Sequence, residues 1–381
     1  MKNILLLILT VISITVLAQV KTGKENKFAF DFFQKITTLD SNTFFSPYSI
    51  SCAMAMTYNG SKEETKKQIK EVMYFNDDFE ITNSYYNETN NLFKSYEGID
   101  NFRLDIANAL WISKTIKLKG SFKKAMKKYY KASFYNKIDA DKINIWADKN
   151  TNHMIPELVK KEDVSNAKLV LTNAIYFYGT WAQKFDSSKT KEEDFTTGKN
   201  EIIKVPMMRQ TTKIKYAESD KFKMVSLPYE GDKTEMILII NDKGSDFKKS
   251  LSEFSLSSFN SLYSKLQSRK LKLIMPKFKI ETSYKLKDIL VEMGISVAFT
   301  EKADFSGMAK GLYIDQVIHK AVLDVSEEGT EAAAATAVIM RKSASKQTQF
   351  VANRPFIVII KDKTTGNILF MGTIVDPSIM K

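Results

Sequence analysis

The side chains that most often carry proton transfer, nucleophilic attack or soft-metal ligation are scarce in this chain: two histidines, His153 and His319, and one cysteine, Cys52. A Ser-His-Asp or Cys-His hydrolase would have to use one of those two imidazoles. Neither lies beside a nucleophile elbow, and no G-x-S-x-G occurs. Positions 52, 153 and 319 have no metal-ligand spacing, and no Walker or dinucleotide glycine motif is present. Carboxylates are plentiful, but a sequence does not show which of them pair. The expectation is a protein that is not an enzyme and needs neither metal nor cofactor.

A second kind of chemistry is offered by Ser326 to Ala337, which reads SEEGTEAAAATA, and by the run Arg341-Lys342-Ser343-Ala344-Ser345-Lys346 after it. From Ala332 to Ala337 every residue is alanine except Thr336. No large apolar side chain occurs before Val338, so the stretch is neither an amphipathic helix nor an ordinary half-buried strand. It is small enough to move into a space made for it. The residues after it present basic and small side chains together.

The rest of the chain must position this stretch. Its 381 residues are 44% hydrophobic and 27% charged, enough for a large core. With 14 glycines and 7 prolines there is little from which to build a linker, so one domain is expected from residue 19 to 381. Met1 to Ala18 has Lys2, an apolar run from Ile4 to Leu17 and a small residue at its end, the pattern of a cleaved signal peptide. The run is shorter than the roughly 20 residues a membrane span requires. With one cysteine no internal disulfide can form, and Cys52, inside the apolar run Ser51 to Met56, reads as a packed core thiol.

The net charge of +13 would attract acidic surfaces. Its densest cluster, Lys123, Lys124, Lys127, Lys128 and Lys131, alternates with Phe122, Met126, Tyr129, Tyr130 and Phe134. That is the pattern of a helix with one buried and one solvated face, with a polyanion site as the alternative. No nucleic-acid-binding motif is found.

Helices are expected over Asn26–Leu39, from Pro47 to Tyr58 with Gly60 as C-cap, from Ser61 onward with an N-cap and acidic first turn, and over Ile143–Leu158. Strands are expected at Leu104–Ile112 and at Ala167–Tyr178. The second is nearly continuous apolar sequence, so its Thr172 and Asn173 must be hydrogen-bonded. Beyond Phe195 short β runs recur at 202–207, 213–217, 222–227, 236–240, 271–274 and 278–281. Helical patterns at 247–265 and 284–293 separate some of them, and a run from Leu312 to Val325 holds His319. Gly366 supplies a hairpin turn between Phe356–Lys361 and Ile368–Ile374. Helix-rich first and strand-rich later, the class is α+β.

Several ordered motifs give this chain a resemblance to the serpins, from about Asn26 to Pro377. They are FFSPYSIS (44–51), LVLTNAIYFYGTW (169–181), MPKFKIE (275–281), MGISVAFTEKADFSGM (293–308), VIHKAVLDVSEEGTEAAAATA (317–337), ANRPFIVII (352–360) and ILFMGTIVDP (368–377). The resemblance implies a fold of about nine helices and three β-sheets with an exposed reactive-centre loop, here about 327–350. It implies a monomeric, single-use inhibitor: a protease cleaves the loop, and the loop enters the large sheet as a new strand, carrying the acylated protease with it. The uncleaved state is then kinetically trapped.

By motif, the resemblance assigns Glu327, Gly329, Thr330, Glu331, Ala332, Ala333, Ala334, Ala335, Thr336 and Ala337 to the hinge that inserts. It assigns Ser46, Ser49, Asn173 and His319 to a polar cluster beneath the strands that part. Trp181, Lys277 and Glu327 fall where the loop first enters. Alternation supports insertion: Thr330, Ala332, Ala334, Thr336, Val338 and Met340 carry no charge, whereas Glu331 and Arg341 belong to the other face. The family register puts the scissile bond at Ser343–Ala344, which suits an elastase-like or subtilisin-like target. Arg341–Lys342 and Lys342–Ser343 suit a trypsin-like one, and all three bonds stay open. The targets are expected to be serine-type endopeptidases, with cysteine-type ones as a further class. The alternative is a non-inhibitory member with a binding or chaperone-like role. The helix that binds glycosaminoglycan in some members corresponds to 81–99, where Lys94 is the one basic residue, so a polyanion would have to use the Lys123–Lys131 face.

Overall fold

The computed structural model describes residues 24–96, 101–242, 245–330 and 348–378. In chain order the elements begin with α1 (Glu25–Ile36), β1 (Thr43–Phe45), α2 (Pro47–Gly60), α3 (Glu63–Met73), α4 (Phe79–Ser95) and β2 (Phe102–Ile112). Then come α5 (Gly120–Tyr130), β3 (Ser133–Tyr135), α6 (Ala140–Asn150), β4 (Leu169–Thr180), β5 (Lys191–Thr196), β6 (Ile202–Glu218), β7 (Phe222–Pro228) and β8 (Thr234–Asn241). The remainder is α7 (Phe247–Glu253), α8 (Leu256–Tyr263), β9 (Gln267–Pro276), β10 (Phe278–Lys285), α9 (Leu286–Glu292), β11 (Gln316–Val325), β12 (Gly329–Thr330), β13 (Gln349–Val351), β14 (Phe356–Asp362) and β15 (Ile368–Ile374).

Three sheets result, as expected. One has the order β10-β11-β12-β4-β2-β3, with β11 also pairing β4 directly. The other nine strands share one hydrogen-bonded network because β6 belongs to two sheets. Ile202–Met207 of β6 pairs β5, Met207–Tyr216 pairs β9, and its end, Lys215–Glu218, pairs β7. Two β runs expected at 202–207 and 213–217 are thus one strand, since β9 also pairs the residues between them.

The α2 helix runs under the six-stranded sheet and is buried all round, including Ser49, Ser51, Cys52 and Thr57. A helix with no polar face must lie inside the protein. Pro47 opens it at the first helical position, and Ser46 caps it by accepting from the Ser49 N–H. Gly60, expected as a C-cap, is instead the last helical residue. It is small because the Met308 side chain presses on it, and an added Cβ would sit 1.9 Å from Met308 Cγ. Ser61 does not cap α3: its hydroxyl donates to Tyr58 O at 2.7 Å.

Two other helices end early. Asn152 and His153 both adopt left-handed backbone, with φ of 50° and 65°, so α6 stops at Asn150. Pro156 then precludes its continuation to Leu158. The pattern from Phe247 to Lys265 is two helices, because Ser255 starts α8 with a capping box to Ser258. Gly366, at φ +80°, makes the β14–β15 turn as expected.

Candidate functional site in the six-stranded sheet

Strands β4 and β11 lie side by side in the middle of the sheet and pair over only part of their length. Gln316–Lys320 runs parallel to Val170–Ala174. Farther along the strands part. Val325 pairs Thr330 of β12, while Gly329 and Thr330 pair Thr180 and Gly179 of β4. Ile175–Tyr178 and Ala321–Asp324 keep their outer partners on β2 and β10 but have no ladder between them. Ile175, Phe177, Val322, Asp324 and Thr330 line the crevice, together with Met154 and Ile155 from the segment after α6. Lys320 ties that segment to the sheet, donating to Glu157 O at 2.6 Å and pairing with Glu281.

At the closed end the four residues Ser46, Ser49, Asn173 and His319 come together, all buried. The Ser46 N–H donates to His319 Nε2 at 3.0 Å. His319 must therefore carry its proton on Nδ1, which lies 3.2 Å from Asn173 Oδ1. The same oxygen accepts from the Ser49 hydroxyl at 2.5 Å, and Asn173 Nδ2 donates to Asn108 Oδ1 at 2.7 Å. The chain of bonds continues from Asn108 Nδ2 to Cys52 Sγ at 3.5 Å. Burial holds the imidazole neutral, pushing its pKa down to about 3. It also pushes the Cys52 thiol up to about 12. Thr172, the other polar residue in this apolar run, accepts from Trp111 Nε1 at 2.8 Å.

Trp181, Lys277 and Glu327 come together at the open end. Trp181 Nε1 donates to Ser326 O at 2.9 Å, and its ring stacks on Tyr229 with centroids 4.7 Å apart. Tyr229 OH in turn meets Thr330 Oγ1 at 2.8 Å. Burial raises the Glu327 carboxyl pKa. Hydrogen bonds from its own N–H, Thr190 and Lys277, with the Lys277 charge, outweigh burial and leave it lowered. Lys277 Nζ stands 3.1 Å and Thr190 Oγ1 2.8 Å from that carboxylate. Lys184 pairs Glu328 at 2.7 Å. Gly329 is required at its position: φ is +153°, and a Cβ would lie 2.2 Å from Gly179 O.

Of the expected hinge, Glu327, Gly329 and Thr330 are therefore placed, whereas Glu331–Ala337 and the bait residues Arg341, Lys342, Ser343 and Ala344 lie outside the described residues. Residues 1–18, read as a signal peptide, also lie outside them. Sequence reasoning missed Asn108 and Tyr229. Asn108 had left a signal, an amide inside a strand between two alanines. His153 stands exposed beside Asp148 Oδ2 at 2.7 Å, far along the chain from His319 and its network. On α5, Phe122, Met126 and Tyr130 are buried while Lys124, Lys127 and Lys128 are exposed, so the two-faced helix is as read.

The α+β chain thus has a central sheet parted between β4 and β11, with Gly329 and Thr330 paired between them at the open end. The family profile Serpin (serine protease inhibitor) matches residues 23–377. The chain belongs to the serpin family. It is 36% identical over 366 residues to an uncharacterized serpin-like protein of Thermococcus kodakarensis, covering 92% of this chain and 84% of that one. It is 36% identical over 369 residues to the leukocyte elastase inhibitor of Xenopus tropicalis, covering 92% and 97%. Human thyroxine-binding globulin complexed with thyroxine has the same fold, with a TM-score of 0.86 at 29% identity over 96% of this chain and 100% of that one. Serpins target proteases, and the relatives include an elastase inhibitor, while a thyroxine-binding globulin shares the fold.

Proposed function

We propose that this protein is a secreted suicide-substrate inhibitor of serine-type endopeptidases, with cysteine-type enzymes as a further target class. The observation that carries the reading is the parted sheet with Gly329 and Thr330 seated at its open end. Continuing that register past Thr330 sets Glu331–Ala334 opposite Tyr178–Ile175 on one side and Asp324–Ala321 on the other. Four small or solvent-facing residues would thus fill the unladdered stretch without breaking a bond between β4 and β11. The next residues must replace the pairing of Val170–Ala174 with Gln316–Lys320. Thr336 comes level with both Asn173 and His319, on the face of Thr330, so its hydroxyl would meet the polar cluster. Thr330, Ala332, Ala334 and Thr336 bring no charge beneath the sheet.

The bait is Arg341 to Ala344, with cleavage at Arg341–Lys342, Lys342–Ser343 or Ser343–Ala344. Export rests on the leader-like residues 1–18, and amino-terminal sequencing of protein recovered outside the cell tests it. The inhibitory reading is tested with trypsin-, elastase- and subtilisin-type proteases. Complexes that survive SDS, with the cut located by mass spectrometry, are expected. Clean cleavage with no complex and no rise in thermal stability would overturn it and favour a binding or chaperone-like role of the kind the thyroxine-binding globulin likeness suggests.

A further inference from the structure

The C-terminal arm of the loop re-enters the protein beside a surface that the inhibitory mechanism leaves unexplained. The Lys272 N–H donates to Thr348 O at 2.9 Å, and Gln349–Val351 pairs with Lys272–Ile274. On the neighbouring strands Lys213 pairs Lys270, Thr211 pairs Lys272, and Lys215 pairs Ser268. Strand alternation puts these residues on one face. Lys213, Lys215 and Lys270 are exposed and Lys272 partly so, whereas Ile214, Tyr216, Leu271 and Leu273 are buried on the other face.

Like charges directly opposite each other on paired strands destabilise the sheet. Among the described residues none of these lysines has an ion-pair partner within 4 Å. The nearby acids are engaged elsewhere: Glu193 by Arg209, Glu218 by the Tyr216 hydroxyl, and Glu235 by Ser226 and Tyr263. Packing therefore offers no reason for this cluster.

Its position offers one. Ala344 lies four positions and Arg341 seven before Thr348, at most about 14 and 25 Å of extended chain. A protease domain of about 230 residues is roughly 45 Å across. An enzyme engaged on the bait thus has to stand within reach of this face. We infer that Lys213, Lys215, Lys270 and Lys272 form a docking surface for an acidic patch on the target protease, raising its encounter rate by electrostatic attraction. The inference rests on the proposed function, because it takes Arg341–Ala344 as the bait. Docking of this kind acts on association more than on the trapped complex.

The test compares an anionic and a cationic trypsin, which share primary specificity and differ in surface charge. Association rate constants are measured for the wild type and for the Lys213→Gln/Lys270→Gln double variant across a salt series. The double variant should lose about tenfold toward the anionic enzyme at low salt and less than twofold toward the cationic one. It should also have a flatter salt dependence, an unchanged stoichiometry of inhibition and no loss in the urea midpoint. Equal rates for the wild type and the variant with the anionic enzyme would overturn the inference, as would equal losses toward both enzymes or no reaction with the anionic enzyme. Loss of heparin binding in the variant with protease rates unchanged would also overturn it and assign the face to a polyanion. If wild type is cut without trapping, the inhibitory reading fails on its own. The same tenfold difference, read in kcat/KM for loop cleavage, would still support docking.

Discussion

His319 makes the clamp between β4 and β11 sensitive to acid. In the folded protein its pKa is about 3, pushed down by burial, and in the unfolded chain it is the ordinary 6.5. Below pH 6.5 the unfolded chain therefore binds a proton that the native protein refuses, so stability falls as pH falls toward 3. The slope is about 1.4 kcal/mol per pH unit, which gives about 2 kcal/mol lost at pH 5 and about 4 at pH 3, where the native ring itself begins to protonate. The geometry explains why the site does not adapt. Nε2 accepts from the Ser46 N–H at 3.0 Å, so a protonated ring would set donor against donor. Urea unfolding of the wild type and of His319→Gln from pH 7.5 to 5 measures this. The variant starts from a lower stability, because the network is altered, but its loss on acidification should be smaller by about 2 kcal/mol. Parallel losses in the two proteins would refute the reasoning, since other carboxyl and imidazole groups are common to both.

Thr330→Arg should still be cut in the bait yet form no SDS-stable complex, because it would bury a guanidinium under the sheet beside Tyr229; complexes at wild-type yield would sink the insertion argument. Thr336→Val should leave the uncleaved protein unchanged and reduce the stability gained on loop cleavage by about 1–3 kcal/mol, measured by urea unfolding of the cut and uncut forms, and an equal gain would refute its place beside the polar cluster. Cys52, buried and held protonated well above neutral pH, should resist thiol reagents at pH 8 until the protein unfolds, as an absorbance assay with a chromogenic disulfide would read.

The elements of this fold were legible wherever one residue pattern had one outcome. The apolar run ending at Tyr178 with its polar pair, the Ser46-Pro47 start of α2 and the Gly366 turn each follow from local chemistry. Boundaries were less legible where a distant contact decides them. Gly60 reads as a cap in sequence, and only Met308, brought in from far along the chain, makes it a packing glycine. The continuity of β6 through Arg209–Thr212 is decided by β9, and the end of α6 by two residues in left-handed conformation. Likeness to a family singled out Ser46, Ser49, Asn173, His319, Trp181, Lys277 and Glu327, and the fold gathers the first four at the closed end and the other three at the open end. That likeness did not supply Asn108 or Tyr229, whose parts depend on what lies across a strand pair or over a ring.

If the sheet gains a strand as proposed, a polar closed end has a physical reason. An all-apolar contact between Val170–Ala174 and Gln316–Lys320 would be stabilised by burial, and an incoming strand would regain that burial in full. Such a contact gives no preference between the closed and the filled sheet at that level. A polar network does, because Asn173 and His319 have to find partners in both arrangements. In the closed sheet Asn173 Oδ1 is shared between Ser49 and His319. In the filled sheet that the proposed mechanism requires, a strand would intervene between Asn173 and His319, and each would keep a partner at that level only if the new strand supplied a hydroxyl. Of the residues from Ala332 to Ala337, Thr336 alone carries a hydroxyl, and the register of Gly329 and Thr330, if continued, would bring it to that level.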